Sequence, residues 1–171
     1  MELNRARTIA EEIMGLLDGR CDRKEIAGSI RRRKPDVGDI EILCIPRFEG
    51  GADSLDRRVQ GLMFQGVLAL RLNKLGRKVY GPKNKLLLHV HSGIGVDIFS
   101  TTEECWPVAM VVRTGGKKTN VRIATAALEK GYRFHAYGSG YTTPYGEIVC
   151  RSEREVFEAV GLPYLEPWER D

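Results

Sequence analysis

Two carboxylates, Asp39 and Glu41, stand two positions apart in the run Gly38-Asp39-Ile40-Glu41-Ile42-Leu43-Cys44-Ile45. Residues at i and i+2 of a β-strand share a face, so the two side chains would project side by side. Like charges held this close raise a pKa unless a cation neutralises them. Mg²⁺, a hard ion bound by one or two carboxylates together with substrate phosphates, is the cation such a pair suits. Upstream, Gly28-Ser29 precede the basic cluster Arg31-Arg32-Arg33-Lys34. A Gly-Ser turn that opens a helical turn offers backbone N–H groups and a hydroxyl to phosphate oxygens. Taken singly, Gly-Ser is a common turn and a run of cations is often a solvated face. Their position ahead of Asp39 makes the segment read as a phosphate cradle followed by a metal clamp.

A third carboxylate should come from a strand beside this one. Asp97, in Gly95-Val96-Asp97-Ile98-Phe99, alternates with apolar Val96 and Ile98 and so would leave the apolar face. A lone strand Asp is ordinarily an edge or capping residue; beside Asp39-x-Glu41 the functional reading is the better one. Three acids from two strands would hold two divalent ions. One would lower the pKa of an attacking hydroxyl and the other would steady a leaving pyrophosphate.

The surrounding elements follow from periodicity. Apolar residues at Ala6, Ile9, Ala10, Ile13, Met14, Leu16 and Leu17 predict a helix over 4–18, with Asn4 as its cap. Strands are expected at 22–27 and 38–46, then a long helix from Asp53 or Ser54 to about Leu75. Strands at 84–90 and 94–100 flank the turn His91-Ser92-Gly93. Helices are expected at 102–112, with Thr102 as a possible cap, and at 117–129. Strands at 132–137 and 141–150, with a turn at Pro144-Tyr145-Gly146, precede a helix over 152–160. The irregular alternation predicts an α+β fold. His89 and His91 imitate a metal pair by spacing, but one of them is expected to face solvent. Trp106 and Trp168 read as packing residues.

At 171 residues the chain has room for one domain or two small lobes with a real core. Its 42% apolar and 29% charged residues match ordinary globular composition. No apolar run reaches membrane-span length, and Glu11, Glu12 and Asp18 break any signal-peptide pattern, so an intracellular, cytoplasmic protein with no membrane partner is expected. Cys21, Cys44, Cys105 and Cys150 lack metal-ligand spacing and read as buried or incidental thiols. The net charge of +4 permits nucleic-acid binding without requiring it.

Together these motifs resemble those of family X DNA polymerases, the polymerase beta-like branch of the nucleotidyltransferases. The resemblance rests on Gly28-Ser29-Ile30-Arg31-Arg32, Gly38-Asp39-Ile40-Glu41 and Val96-Asp97. It continues through Arg113-Thr114-Gly115-Gly116-Lys117-Lys118-Thr119-Asn120-Val121-Arg122, Ala127-Leu128-Glu129-Lys130-Gly131, Tyr137-Gly138 and the segment from Ser152 to Pro167. It implies a nucleotidyltransferase palm over 1–105, with a mixed or antiparallel sheet and helices packed on one face. A small α+β thumb would follow over 106–171, in a minimal form with no lyase, helix-hairpin-helix or phosphoesterase domain.

The resemblance also implies roles. Asp39, Glu41 and Asp97 would be catalytic and would ligate two Mg²⁺ ions, with Mn²⁺ as a substitute; Asp97 would also accept the primer hydroxyl proton. Gly28, Ser29 and Arg32 would hold phosphates. Thr114-Gly115, in the family's cis-turn position, would lie under the nucleotide sugar, and Asn120 would reach the base or the minor groove. Lys117, Lys118 and Arg122 would meet DNA, or form a solvated helix face.

Departures from the family pattern matter too. Glu41 stands for a second Asp, and Gly95 replaces an Arg beside the strand Asp, removing a charge from the site. Val112 and Arg113 replace paired aromatics, leaving sugar selection open. The implied activity is a monomeric, distributive, gap-filling DNA polymerase in repair, acting on primer-template or gapped DNA and deoxynucleoside triphosphates. A template-independent or non-DNA-acceptor nucleotidyltransferase shares the same triad, and a non-catalytic binding module would have lost it.

Overall fold

The computed structural model describes all residues, Met1–Asp171. In chain order the elements are α1 (Leu3–Leu16), β1 (Cys21–Ile26), α2 (Gly28–Arg31), β2 (Asp39–Pro46), β3 (Phe48–Glu49), β4 (Ala52–Asp53), α3 (Ser54–Phe64), β5 (Leu68–Leu70), β6 (Asn84–His89) and β7 (Gly95–Ser100). They continue as α4 (Trp106–Thr114), α5 (Lys117–Glu129), β8 (Arg133–Phe134), β9 (Gly140–Thr143), β10 (Gly146–Val149) and α6 (Glu153–Glu158), with a 3₁₀ turn at Pro167–Glu169. The class is α+β. The chain divides into two compact units, Met1–Ile30 with Lys34–Thr101, and Arg31–Arg33 with Thr102–Asp171.

The first unit is built on a five-stranded sheet in the order β1-β2-β7-β6-β5. The β2–β7 pair is parallel and the others are antiparallel, so the sheet is mixed. Alternation along β2 sends Ile40, Ile42 and Cys44 into a core shared with Val96 and Ile98 of β7. Ile9, Ala10 and Ile13 of α1 and Leu55, Val59 and Leu62 of α3 complete that core from the helix side. Each fully buried Ile or Leu there contributes about 1.5–3 kcal/mol, which fixes the register of the strands and therefore the face of every residue between them.

Several expected boundaries shift for local reasons. The cap of α1 is Glu2, whose carboxylate accepts the N–H groups of Asn4 and Arg5, not Asn4. The long helix expected to reach Leu75 ends at Phe64: Gly66 takes a left-handed φ of 75°, and Leu68–Leu70 then pairs with β6. Lys85, one of a basic cluster in the sequence, is 1% exposed. It donates to Gly81 O at 2.8 Å and lies 3.4 Å from Asp56, which also accepts from Tyr80 Oη at 2.6 Å. Its burial is possible because its charge is matched. Of the histidines, His91 is exposed while His89 is buried against Ser92. All four cysteines are free.

The second unit packs α4, α5 and α6 with the sheet β10-β9-β8. Val108, Val111, Ile123, Ala127, Tyr141, Val156 and Phe157 form its core. Tyr141, fully buried, satisfies its hydroxyl by donating to Val156 O at 2.5 Å. Pro144 and Tyr145 form the tip between β9 and β10, as the turn signal predicts. Helix α4 starts at Trp106, later than expected; Pro107 suits its first turn, while Thr102 Oγ1 accepts only the N–H of Cys105.

Candidate active site

The acidic positions lie together on the sheet face opposite α1 and α3. In the parallel β2–β7 register Glu41 faces Asp97 and Asp39 faces Gly95. Alternation then puts Asp39, Glu41 and Asp97 on one face. Asp39 and Glu41 are partly exposed, and Asp97 is 8% exposed. As the side chains stand, no three acidic, histidine or cysteine groups close around a common point. The donor set nevertheless suits a hard divalent ion: it is all carboxylate, comes from adjacent strands, and carries more negative charge than sheet packing requires.

Gly28 explains how Glu41 is accommodated. It has a left-handed φ of 59°, and a Cβ there would collide with the Glu41 carboxylate. The turn into α2 and the longer acid in β2 are thus fitted to each other. Ala27 N–H donates to Glu41 O at 2.8 Å, fixing the turn to the strand, and Ser29 O accepts from Lys34 N–H at 3.0 Å.

Asp97 has a partner that sequence reasoning missed. Arg71, just after β5, donates from Nη2 to Asp97 Oδ1. The charge expected to be absent because of Gly95 is therefore present, supplied by the segment that follows β5. Arg71 was hidden because its segment carries helix-like apolar spacing, and only the β5–β6–β7 pairing brings it to Asp97.

In the second unit the structure joins Arg32, Thr114 and Gly115. Arg32 Nη1 donates to Thr114 O, its buried Nε has no protein partner, and a Cβ on Gly115 would lie 2.9 Å from Nη1. The cis peptide lies between Gly115 and Gly116, immediately after the expected pair. Asn120 donates from Nδ2 to Val112 O at 2.9 Å, while its buried Oδ1 has no partner. Lys117, Lys118 and Arg122 are exposed on α5 and rim a groove of about 690 Å³ floored by Val121, Ala126 and Leu162. Arg113 lies 5.6 Å from the Tyr137 ring centroid. Arg33 stacks at 3.9 Å on the ring of Trp168, which is exposed rather than packed in the core, while Trp106 is buried.

A second network was also missed. Arg31 donates from Nη1 to Thr114 Oγ1 at 2.7 Å and Glu153 Oε1 at 2.8 Å, and from Nη2 to Glu153 Oε2 at 2.7 Å. Arg170, fully buried, donates to Glu153 Oε1 at 3.0 Å. Burial alone would raise the Glu153 pKa, but the hydrogen bonds and charges of Arg31 and Arg170 outweigh it and hold the acid below its ordinary value. Arg31 is therefore engaged in the fold of the second unit.

Comparison with known proteins carries the same pattern. Residues 109–171 match the DNA polymerase beta thumb family. Over 142 residues, 82% of the chain, it is 28% identical to the DNA polymerase/3′-5′ exonuclease PolX of Bacillus subtilis (strain 168), spanning 23% of that protein. The fold matches Leishmania infantum polymerase beta in a ternary gap complex with a TM-score of 0.81 at 22% identity, covering all of this chain and 70% of that one. The chain is thus similar to family X DNA polymerases. A second Leishmania infantum polymerase beta structure, a ternary P/T complex, matches with a TM-score of 0.76 at 24% identity, over all of this chain and 76% of that one. At these identities the structural likeness is one of fold. No helix of this polymerase-like chain is long and apolar enough to cross a membrane.

Proposed function

We propose that this chain is a metal-dependent, DNA-directed DNA polymerase that adds deoxynucleotides to a primer 3′-hydroxyl, filling gaps distributively in DNA repair. The observation that carries the reading is the register of Glu41 against Asp97, with Asp39 on the same face, inside a polymerase beta-like fold. The gap and P/T complexes of the Leishmania relatives support DNA as the partner.

Asp39, Glu41 and Asp97 would hold two Mg²⁺ ions, with Mn²⁺ able to substitute; when bound, these supply charge neutralisation for the triphosphate and activation of the hydroxyl. Asp97, the most enclosed of the three, would accept the 3′-hydroxyl proton. Ser29 would offer its hydroxyl and the turn at Gly28 its backbone N–H groups to phosphate oxygens, and the unpaired Arg32 Nε would offer a charged donor. Thr114-Gly115 would bound the sugar. Asn120 has a spare buried acceptor for a base-side donor. Lys117, Lys118 and Arg122 would contact DNA phosphates as a single chain binds its substrate.

The test is extension of primers on gapped and single-stranded DNA, with each deoxynucleotide offered against each template base. The proposal predicts metal-dependent addition of the templated nucleotide, best on gaps. Equal addition of all four nucleotides whatever the template would overturn the templated reading in favour of terminal transfer.

A further inference from the structure

Three acids on one sheet face repel one another, so something must hold their side chains apart in a defined orientation. Arg71 is placed to do this for Asp97. Its backbone N–H donates to Leu86 O at 3.1 Å, and its Nε donates to Leu87 O at 3.2 Å. Its Nη2 reaches Asp97 Oδ1. Leu86 and Leu87 lie on β6 directly opposite Asp97 and Val96. The guanidinium is thus anchored by one strand while it grips a carboxylate on the next. With Nε fixed on Leu87 O, the planar guanidinium aims Nη2 at Asp97 in one direction.

Gly95 makes the arrangement possible. A Cβ at this position would sit 2.9 Å from Arg71 Nε, 3.0 Å from Cζ and 3.3 Å from Nη2. The guanidinium lies in the space a side chain would fill. Gly95 is also the residue opposite Asp39 in the parallel register. Arg71 therefore reaches Asp97 across the position facing the first acid.

We infer that Arg71, seated on Gly95, is a positioning residue that sets the orientation of Asp97 for nucleotidyl transfer and competes with cations for its carboxylate. The inference rests on the proposed activity for its kinetic part. Its cation part stands without that activity. A fixed positive charge beside Asp97 lowers the affinity of the acidic face for a divalent ion while holding the carboxylate in one rotamer. Removing it should loosen Asp97 and tighten cation binding together. A purely structural arginine would change neither.

The experiment compares wild type, Arg71→Ala, Arg71→Lys, Gly95→Ala and the Gly95→Ala/Arg71→Ala pair as full chains. Single-nucleotide incorporation gives kcat and KM, electron paramagnetic resonance of free Mn²⁺ gives cation affinity without nucleotide, and thermal melting checks folding. Arg71→Ala should lower kcat on the order of tenfold with the deoxynucleotide KM within about twofold. Mn²⁺ affinity should rise about threefold or more. Gly95→Ala, whose methyl would press on the Arg71 guanidinium and displace it from Asp97, should act in the same direction, and the pair should be no worse than Arg71→Ala. Arg71→Lys keeps the charge but loses the Nε bond, and should stay below about a third of wild-type kcat.

Wild-type kcat in Arg71→Ala, full recovery in Arg71→Lys, or additive losses in the pair would overturn the positioning role. If wild type incorporates nothing, the failure belongs to the proposed polymerase activity. The Mn²⁺ measurement then decides alone, and unchanged or weaker affinity in both Arg71→Ala and Gly95→Ala overturns the inference.

Discussion

The two charged clusters of this chain are built on opposite plans. In the second unit one carboxylate, Glu153, is gripped by two arginines, one of them fully buried, and its pKa is held down. In the first unit three carboxylates share one face of β2 and β7, two of them partly exposed, with a guanidinium on the third. Glu153 is partly exposed, but both its carboxylate oxygens are paired and it ties Arg31 to the buried Arg170 within the second unit. On the acidic face Arg71 pairs with Asp97, and Asp39 and Glu41 stay partly exposed. One acid matched to two arginines marks structure; three acids gathered on one sheet face mark chemistry.

The contrast is broken most strongly by neutralising one acid of each cluster. Asp39→Asn should reduce nucleotide incorporation by about 10³-fold. Its melting temperature should stay at or above wild type, since a like-charge repulsion is relieved. Glu153→Gln should do the reverse. It leaves Arg170 buried without its counter-ion and should cost about 3–5 kcal/mol in chemical denaturation. A stable Glu153→Gln variant, or an Asp39→Asn variant that unfolds, would reverse the assignment of the two clusters.

Acid titration sharpens the same difference. Glu153 has a folded pKa below its unfolded value, so its contribution is present above the unfolded value and is lost as pH falls through the depressed one. Melting curves below the ordinary carboxylate range should fall more steeply for wild type than for Glu153→Gln. Parallel slopes would deny that this ion network operates.

Gly28→Ala should affect the acidic face without much disturbing the Glu153 cluster. The left-handed backbone and the collision with Glu41 should cost about 1–3 kcal/mol. Incorporation should fall on the order of 10²-fold as Glu41 is displaced. The smallest effect is expected at the exposed rim of α5. Lys118→Ala should weaken binding to gapped duplex modestly and reduce the salt slope by about one. An unchanged slope would return Lys118 to a solvated face.

How much of this was legible in the sequence depends on how far apart the partners lie. Asp39, Glu41 and Asp97 could be read because strand alternation alone assigns their faces, and the apolar Ile40, Val96 and Ile98 between them mark the core side. The glycine at 28 could be read as a turn, though its fit to Glu41 needed coordinates. Arg71 is invisible in the sequence because 68–70 falls inside the helix expected to reach Leu75, whereas the structure ends that helix at Phe64 and pairs Leu68–Leu70 with β6. The Arg31–Glu153 pair spans 122 positions. No local pattern distinguishes Arg31, committed to Glu153, from Arg32, whose Nε stays unpaired. Periodicity fixes faces within an element; it cannot choose among adjacent arginines.

The acidic face is proposed to perform metal-dependent nucleotidyl transfer. The most direct measurement is single-turnover incorporation of one deoxynucleotide into a gapped duplex across an Mg²⁺ series, with wild type and Asp97→Asn side by side. Wild type should show saturable Mg²⁺ dependence, and Asp97→Asn should be at background at every concentration while still binding the duplex. Incorporation by Asp97→Asn at the wild-type rate, or incorporation by wild type that ignores Mg²⁺ and chelator alike, would contradict the account.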